Sequence, residues 1–340
     1  MGTLKKFKPL KGITVVDLSR LLPGPYCSFV LASLGAKVMK VEDSELGDYL
    51  KHYPPFVSKG EGREGREGLF YHALNFNKKK ITLNLRDKKG IKTLYQLCKT
   101  SDVVIESYRP GVFSKMGFSY QKLKSKNKKI ILASITGYGQ KTSMSHLAGH
   151  DLNFMSLAGL IKEEALPSIQ WADLVGGGIW SALMIMSALY QANFQGKGSH
   201  LDLSMSHAMR LTGMLPILLS QFGGEFFYLS GGLARYGIYK TKDNEKIALA
   251  ALETKFWNPF CDIIKKPEWK DGEKTFLDAN PQIKQELKEI FLQKTREEWT
   301  RQFQNLDLCF TPVLNLQEIF SKKDPLSGDF LIPFPKGCFL

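Results

Sequence analysis

Two short apolar runs separated by one helix-length segment constrain the fold of this chain more than any other feature. GITVVDLS at 12–19 and AKVMKVE at 36–42 have the composition of buried strands, and PYCSFVLASLG at 25–35 has helical periodicity. Gly35 stands where a helix C-cap is expected. A strand, a helix and a second strand in this order predict a parallel β-α-β unit with a right-handed crossover.

The alternation of strands and helices continues through the first 140 residues. The later segments are predicted as strands at 79–85, 102–108 and 128–139 and as an amphipathic helix at 88–101. The first part of the chain is therefore predicted to be α/β, with a parallel sheet covered by helices on both faces.

The pattern changes after residue 150. Residues 151–220 are mostly helical in pattern, 238–252 predict two strands joined at Asp243-Asn244, and 254–308 predict charged helices. This second tract is typical of a smaller α+β domain.

The net charge of +14 over 340 residues attracts polyanions such as nucleic acid, anionic lipid or a nucleotide-like substrate. The densest cluster, KSKNKK at 124–129, has no interleaved aromatic residues, so no nucleic-acid partner is predicted. No membrane association is predicted either. The most apolar segment, 179–194, is interrupted by polar residues and is expected to be a buried helix.

Cysteine and glycine spacing excludes two further classes of site. Five cysteines without a C-x-x-C pair predict no disulfide framework, no metal site and a reducing, cytoplasmic setting. The stretch KGEGREGREG at 59–68 contains G-x-G-x-x-G at Gly60, Gly62 and Gly65, but it follows a loop and not a strand. A surface loop is therefore predicted there, and a NAD or FAD site is not.

Seven longer segments stand in order along nearly the whole chain. They are LKGITVVDLSRLLPGPYCSFVLASLGAKVMKVE, NFNKKKITLNL, ESYRPGVFSKMGF, ILASITGYGQ, LAGHDLNFMSLAGL, ADLVGGGIWSALMIMSALYQANFQGKG and TPVLNLQEIF. Each is weak evidence alone, but their succession resembles the family III CoA-transferase (CaiB/BaiF) superfamily. Within that superfamily it is most similar to the α-methylacyl-CoA racemase branch.

The resemblance implies a fold and an assembly. A Rossmann-like large domain is expected at 1–195, completed by about 316–340, with a linker at 196–224 and a small domain at 225–315. An interlocked homodimer and an acyl-CoA substrate are also implied, with no separate cofactor because CoA is part of the substrate. Fewer residues follow the TPVL segment than in the racemases, so closure over the substrate is expected to be weaker.

Racemisation at the carbon α to a thioester needs two acid–base groups, one on each face of that carbon. The resemblance assigns these roles to His150 in LAGHD and Asp173 in ADLVGGG, with Asp151 as a structural neighbour and Glu253 supporting the histidine. Taken singly, each residue also has a structural explanation: a helix start, an N-cap and a solvated side chain. The backbone N–H of Asp173 is further expected to stabilise the enolate oxygen.

The transferase branch differs in its nucleophile, an aspartate that forms covalent acyl and CoA intermediates. The resemblance aligns that aspartate with His207 in LDLSMSHAM. An imidazole cannot form the mixed anhydride that a carboxylate forms, and this difference favours the racemase branch.

The phosphates of CoA predict cations around its site. The resemblance places a set of residues at the CoA: Arg109 in YRPG, Lys78, Lys79, Lys40 and Tyr138. Relatives often have an arginine near position 43, where this chain has Asp43, and Lys40 is expected to compensate.

The sequence therefore predicts an acyl-CoA racemase or epimerase that inverts the 2-methyl carbon of a branched acyl-CoA through an enolate. Two alternatives stay open. One is a family III CoA-transferase that moves CoA between carboxylic acids with another nucleophile, and the other is a non-catalytic homologue that binds CoA or a protein partner.

Overall fold

Two units make up the chain, and each has its own sheet and its own apolar core. The structure, a computed structural model, describes residues 7–45, 47–58, 66–161, 166–224, 229–270 and 280–320. The two units divide between Met214 and Leu215. Gly60, Gly62 and Gly65 lie outside the described residues, as does nearly all of the tail predicted to complete the large domain. The last three residues of the stretch predicted as a loop, Arg66–Gly68, instead form a strand.

Six parallel strands form the sheet of the first unit: β1 (Thr14–Asp17), β2 (Lys37–Asp43), β5 (Lys79–Leu83), β6 (Val103–Glu106), β7 (Ile131–Thr136) and β8 (His200–Ser204). Their spatial order is β5-β2-β1-β6-β7-β8. A hairpin of β3 (Phe56–Ser58) and β4 (Arg66–Gly68) precedes β5. The strand order reverses between β1 and β6, and ligands of such sheets bind at the carboxyl ends of the strands beside this reversal.

Helices cover the sheet. They are α1 (Pro23–Ser33), α2 (Leu69–Asn75), α3 (Lys88–Lys99), α4 (Val112–Lys115), α5 (Tyr120–Lys124), α6 (Asp151–Leu157), a π-helical segment (Ala172–Ile179), α7 (Trp180–Gln195) and α8 (Met205–Thr212), with a 3₁₀ turn at Tyr49–His52. The next helix, α9 (Met214–Gln221), begins where the two units divide. The predicted strands and helices of the first 140 residues are confirmed, with ends that differ by a few residues.

Alternate residues of the central strands enter two different apolar cores. Val15 and Val103 pack in the layer formed by α1, α6, the π-helical segment, α7 and α8. Val16 and Val104 pack in the opposite layer, formed by α3, α4 and α5. Burial of both faces explains why these strands are continuous apolar runs in the sequence.

The π-helical segment and α7 form one helix, Ala172–Gln195, which is long and apolar enough to cross a membrane by length and composition alone. Part of it belongs to the core of the first unit, where Ala182, Ile185 and Ala188 are buried. The helix predicted from the sequence is confirmed, but it is only partly buried, because Ile179, Leu183, Tyr190 and Phe194 are exposed.

The second unit is an antiparallel sheet with helices. Its strands are β9 (Tyr236–Lys240), β10 (Lys246–Ala250) and β11 (Phe310–Pro312), in the order β11-β10-β9, and its helices are α10 (Thr254–Ile263), α11 (Pro281–Phe291) and α12 (Arg296–Phe303), with 3₁₀ turns at Pro267–Trp269 and Glu318–Phe320. Asn244 adopts φ +57° in the turn between β9 and β10, as the Asp243-Asn244 pair predicts. Aromatic rings fill the core, among them Trp257, Phe260 and Phe291.

Candidate active site

A pocket of about 510 Å³ opens at the carboxyl edge of the parallel sheet, beside the strand reversal. Its walls come from the segments that follow β1, β6 and β7, and from α6, the π-helical segment and α8. Four of the eight candidate residues line it: Arg109, Tyr138, His150 and Asp173. The pocket lies wholly within the first unit.

An aromatic pair and two glycines hold the wall that carries His150. The rings of Tyr138 and Phe154 meet edge to face with their centroids 5.1 Å apart. A Cβ atom on Gly149 would lie 2.4 Å from Tyr138 Oη, and one on Gly137 would lie 2.2 Å from Phe154 Cε1. The backbone therefore passes so close to the two rings that only glycine fits at these positions.

His150 both begins a helix and lines the pocket. Its backbone N–H donates to Asn153 Oδ1 (3.0 Å), and its carbonyl accepts from the Asn153 N–H (2.9 Å) at the start of α6. The side chain is exposed at the pocket. The structural explanation for His150 is therefore compatible with a chemical role, because its backbone N–H and carbonyl take part in the helix start while its side chain lines the pocket.

Asp173 lies in the first turn of the π-helical segment, which begins after Trp171. Burial raises the pKa of its carboxyl group, and the nearby Asp151 carboxylate raises it further, to about 7. With a pKa of about 7, Asp173 is present in both protonation states at neutral pH. Single π-helical turns also occur frequently at functional sites.

Two expectations for Asp173 are wrong. It is not the N-cap, because it lies inside the helix. Its backbone N–H donates to Asp151 Oδ1 at 2.9 Å, so this group is not available to an enolate oxygen. The same hydrogen bond joins the π-helical segment to the residue beside His150 and fixes the two candidate acid–base residues in one local framework.

Three consecutive glycines allow the helix that carries Asp173 to contact α1 and α8. A Cβ on Gly177 would lie 2.4 Å from Pro23 Cβ, and one on Gly178 would lie 2.4 Å from Tyr26 Cδ1. A Cβ on Gly176 would meet the backbone oxygen of Met205 at 3.2 Å. The GGG sequence is thus a packing requirement that brings Asp173 to the pocket.

Two guanidinium groups line the pocket, and the sequence analysis identified only Arg109. Arg20, in the turn after β1, donates from Nη1 to Tyr49 Oη (3.4 Å), and its Cζ lies 5.6 Å from the Tyr49 ring centroid and 6.0 Å from that of Tyr108. Both tyrosines line the pocket. The sequence does contain a signal for Arg20, because this residue directly follows a predicted strand, and ligands bind at the carboxyl ends of such strands.

Glu106, the last residue of β6, was also missed. Burial raises the pKa of its carboxyl group to about 7. Its Oε2 accepts the backbone N–H of Tyr108 at 2.8 Å. This bond fixes the backbone of the segment that presents Tyr108 and Arg109 to the pocket.

Lys40 and Lys78 do not line the pocket. Both are buried around Asp17, with Lys78 Nζ 3.3 Å from Asp17 Oδ2 and Lys40 Nζ 4.0 Å from it. Lys78 also donates to the Pro25 carbonyl (2.8 Å) and to Asn75 Oδ1 (2.9 Å). Because these ammonium groups are buried and engaged, the structure does not support their assignment as CoA ligands.

The charges of this buried cluster depend on one another. Burial alone would raise the pKa of Asp17, but the two lysines and the hydroxyls of Ser19 and Ser28 lower it below its usual value. Burial lowers the pKa of Lys78 to about 8, against the raising effect of Asp17. The cluster is therefore a set of mutually dependent charges, in which the loss of Asp17 would remove the carboxylate that Lys40 and Lys78 share.

The buried cluster also supports the pocket wall. Lys40 Nζ lies 3.3 Å from Asp48 Oδ2, and Asp48 Oδ1 accepts the backbone N–H groups of Leu21 (3.0 Å) and Leu50 (3.2 Å). Leu21 has φ +63°, a strained value for this residue, and it lines the pocket beside Tyr49. Lys40 therefore supports the pocket wall indirectly, by contacting Asp48, which holds the backbone of Leu21.

The other residues singled out from the sequence are not among those that line the pocket. Lys79 is exposed at the start of the edge strand β5, and Asp43 ends β2, where its carboxylate accepts the backbone N–H of Glu45. Glu253 is an exposed residue of the second unit, immediately before α10. His207 is exposed on α8 and is not part of the pocket wall.

The placement of His207 removes one argument from the sequence analysis. Since residue 207 is outside the pocket, its identity does not distinguish a racemase from a transferase. The carboxylate that lines the pocket is that of Asp173. In chemical terms, the pocket offers an imidazole, a carboxyl group that titrates near neutrality and two guanidinium groups for an anionic ligand.

Comparison with known proteins agrees with this architecture. The sequence model of CoA-transferase family III matches residues 10–337. A CaiB/BaiF CoA-transferase family protein of Caenorhabditis elegans is 33% identical over 93% of this chain and 88% of its own length. Human alpha-methylacyl-CoA racemase is 33% identical over 91% and 79% of the two chains. Human succinyl-CoA:glutarate CoA-transferase is 29% identical over 97% and 77%.

Solved structures show the same fold. A CaiB/BaiF family protein from Brucella suis superposes with a TM-score of 0.79 at 25% identity, over 93% of this chain and 86% of the other. A Mycobacterium tuberculosis protein superposes with a TM-score of 0.78 at 23% identity, over 93% and 87% of the two chains. The family match over residues 10–337, together with the two relatives at 33% identity, shows that this chain belongs to CoA-transferase family III.

Proposed function

We propose that this protein is an acyl-CoA epimerase, which inverts the carbon α to a thioester by transferring protons on both of its faces. The observation that carries the proposal is the presence of His150 and Asp173 in one pocket, with the pKa of Asp173 raised to about 7. A carboxyl group with this pKa can remove a proton in one direction of the reaction and return it in the other. Imidazole is the side chain most often used for the same task.

The acyl-CoA substrate is proposed from the relatives and from charge. Both human relatives are named for CoA thioesters. CoA carries phosphate groups, and Arg20 and Arg109 provide two cations at the pocket wall. Tyr138 lies in the same wall beside the His150 loop and remains in the proposed CoA-binding set. Lys79 stays in this proposed set only because it is an exposed cation on the edge strand β5.

A second candidate function, CoA transfer between carboxylic acids, is favoured by one specific observation. Asp173 is a carboxylate in the pocket, and nucleophilic attack by a carboxylate on a thioester would give a mixed anhydride and free CoA thiolate. A raised pKa opposes this role at neutral pH, because a protonated carboxyl group is a poor nucleophile. We therefore place epimerisation first.

One experiment separates the two candidates. The protein is incubated in deuterium oxide with a set of single-enantiomer 2-methylacyl-CoAs, and deuterium at the α carbon and the enantiomer ratio are measured. Epimerisation predicts α-deuterium and inversion without added acid. Transfer of CoA to free succinate or oxalate, or an acyl group on Asp173 trapped by hydroxylamine, would establish the transferase instead. Binding of acyl-CoA with neither reaction would indicate the non-catalytic homologue.

We also propose that the protein is a homodimer, and that Glu253 acts in the site of an assembled dimer by supporting His150. Four apolar side chains, Ile179, Leu183, Tyr190 and Phe194, are exposed at helical spacing along one side of the long helix. An exposed apolar stripe of this kind favours a protein–protein contact. Light scattering at micromolar concentration should give twice the mass of the chain, and a stable monomer would contradict the dimer.

A further inference from the structure

The positive charge of this protein is concentrated in one stretch of the first unit. Residues 86–129 contain twelve Lys and Arg against three Asp and Glu, a balance of +9 in a chain whose total is +14. Ten of the twelve cations are lysines: four on α3, Lys115 on α4, and five within residues 122–129. All ten lysines are exposed.

These lysines belong to one continuous layer of the fold. Tyr95 of α3 packs against Phe118 with ring centroids 6.3 Å apart, and Lys122 Nζ of α5 lies 5.6 Å from the Tyr95 ring centroid. Lys88, Lys92 and Lys122 surround one shallow depression in this surface. We call the outer surface of α3, α4, α5 and residues 125–129 the basic face. It lies on the opposite side of the sheet from the helices that carry His150 and Asp173.

The charge of the basic face is not neutralised within the described part of the chain. Arg86 pairs with Glu45 (2.5 Å), but none of the ten lysines has a described carboxylate within ion-pair distance. Lys122 and Lys124 instead rest over the rings of Tyr95 and Tyr120. An uncompensated field of this size attracts an extended anionic surface, and it does not serve the stability of the fold.

The composition of the basic face indicates what kind of anion it fits. No large apolar side chain within residues 86–129 is exposed, whereas protein–protein interfaces need an apolar centre and are poor in lysine. Base recognition in nucleic acids favours arginine forks and exposed aromatic rings, but here Tyr95 and Tyr120 are half-buried under lysines. A dense field of mobile lysines without an inserting side chain matches the headgroup plane of an anionic membrane.

We propose that the basic face binds the surface of membranes rich in anionic phospholipids and that this binding is purely electrostatic. The protein would lie on such a membrane without inserting into it, contrary to the expectation from the sequence that no membrane partner exists. Because the pocket helices occupy the other layer of the sheet, the pocket is expected to keep its acyl-CoA chemistry while the protein is bound. The inference is independent of whether that chemistry is epimerisation or CoA transfer.

The test is co-sedimentation of the full chain with phosphatidylcholine vesicles that contain either no phosphatidylserine or about 30% of it. Lys89, Lys92, Lys126 and Lys128 are changed together to Gln. The matched control changes Lys240, Lys242, Lys246 and Lys288 to Gln, which removes the same charge from exposed positions of the second unit. Thermal unfolding of both variants verifies that each is folded.

The proposal predicts binding to the anionic vesicles only. The partition coefficient should fall at least tenfold in the basic-face variant, since each lysine near an anionic surface contributes about fivefold, and little in the control. Raising the salt from about 0.1 M to about 1 M should abolish binding, because the Debye length falls from about 10 Å to about 3 Å.

Four results would overturn it. They are no vesicle binding, an equal loss in the two variants, tighter binding to duplex DNA than to the vesicles, and unchanged vesicle binding with a fall in kcat/KM for acyl-CoA in the basic-face variant. The last result would mean that the basic face steers the substrate and does not bind lipid.

Discussion

Lys78 and Arg109 were assigned the same role from the sequence, and the structure gives them opposite surroundings. Lys78 is buried beneath α1, where its ammonium group contacts the Asp17 carboxylate, a carbonyl and an amide oxygen. Arg109 is exposed at the pocket, in the segment that follows β6. The charge of Lys78 therefore stabilises the fold, whereas the charge of Arg109 is available to a ligand.

The same contrast holds for the carboxylates of the two regions. Asp17 is held in its charged form by two lysines and two hydroxyl groups, so its pKa lies below the usual value. Asp173 has burial and a second carboxylate beside it, and its pKa rises to about 7. Burial beside cations keeps a carboxylate charged and stabilises the fold, whereas burial without cations gives a carboxyl group that changes its protonation state at neutral pH.

The largest expected effect lies in the pocket. Changing His150 to Ala, or Asp173 to Ala, should reduce the rate of epimerisation by roughly 10²–10⁴-fold, because one face of the α carbon then lacks its proton donor. The rate is measured from the enantiomer ratio of a 2-methylacyl-CoA over time. The matched control is His207→Ala, outside the pocket wall, which should keep nearly full activity. A His150 or Asp173 variant that is as active as this control would remove that residue from the chemistry.

The buried cluster should respond in stability. Asp17→Asn preserves shape but leaves Lys40 and Lys78 without their shared carboxylate, and breaking a buried ion pair in this way costs about 3–5 kcal/mol of unfolding free energy. Urea unfolding measures the loss. The exposed pair Glu297–Arg301 gives the control, since Glu297→Gln should cost no more than about 0.5 kcal/mol. Equal losses in the two variants would mean that the Asp17 cluster contributes no more to stability than an exposed ion pair.

The pH dependence of this stability has a definite sign. The pKa of Asp17 is lower in the folded state than in the unfolded chain, where a value near 3.9 is expected. Its contribution is therefore fully present above the unfolded pKa and is lost as the pH falls through the folded pKa. In Asp17→Asn, the acid side of the stability profile should be flatter than in the original protein.

A smaller effect is expected from the cations of the pocket. Arg109→Ala should raise KM for acyl-CoA about tenfold with little change in kcat, because it removes a contact made equally in the ground state and the transition state. Steady-state kinetics give both constants. Arg301→Ala, at an exposed position of the second unit, is the control. An unchanged KM in Arg109→Ala would exclude Arg109 from the substrate site.

The smallest effect is a change of pKa. In Asp151→Asn, the oxygen that accepts the Asp173 N–H is kept and the neighbouring negative charge is removed. The pKa of Asp173 should therefore fall, by less than about one unit, because the main cause of its elevation is burial. The acidic limb of kcat/KM for the enantiomer that Asp173 deprotonates should shift to lower pH, because Asp173 must be a carboxylate to remove the proton. A shift to higher pH would contradict the assigned cause, and Glu45→Gln should produce none.

Sequence reasoning identified the parts of this molecule that repeat a pattern. The strands are apolar runs because both faces of the sheet are covered, and such runs are visible without a structure. The glycines at 149 and 176–178 were recognised only through the family resemblance, and the structure supplies their reason, which is close contact with aromatic and helical neighbours.

What the sequence did not provide depends on the third dimension. Lys40 is buried because β2 lies between β1 and β5 in the sheet. The order of the strands, which makes β2 an interior strand, cannot be read from the sequence. No periodic pattern in the sequence predicts the π-helical segment or the hydrogen bond from the Asp173 N–H to Asp151. The basic face combines residues from three helices, and the short cluster at 124–129 is only one edge of it.

Enantiomer-resolved deuterium exchange tests whether His150 and Asp173 serve opposite faces of one carbon. Each single enantiomer of a 2-methylacyl-CoA is incubated in deuterium oxide with His150→Ala and with Asp173→Ala, and the α-deuterium is measured before any inversion. We predict that each variant loses exchange from a different enantiomer and keeps it, with retention, in the other. Loss of exchange from the same enantiomer in both variants, or epimerisation that persists in either, would contradict the two-base assignment.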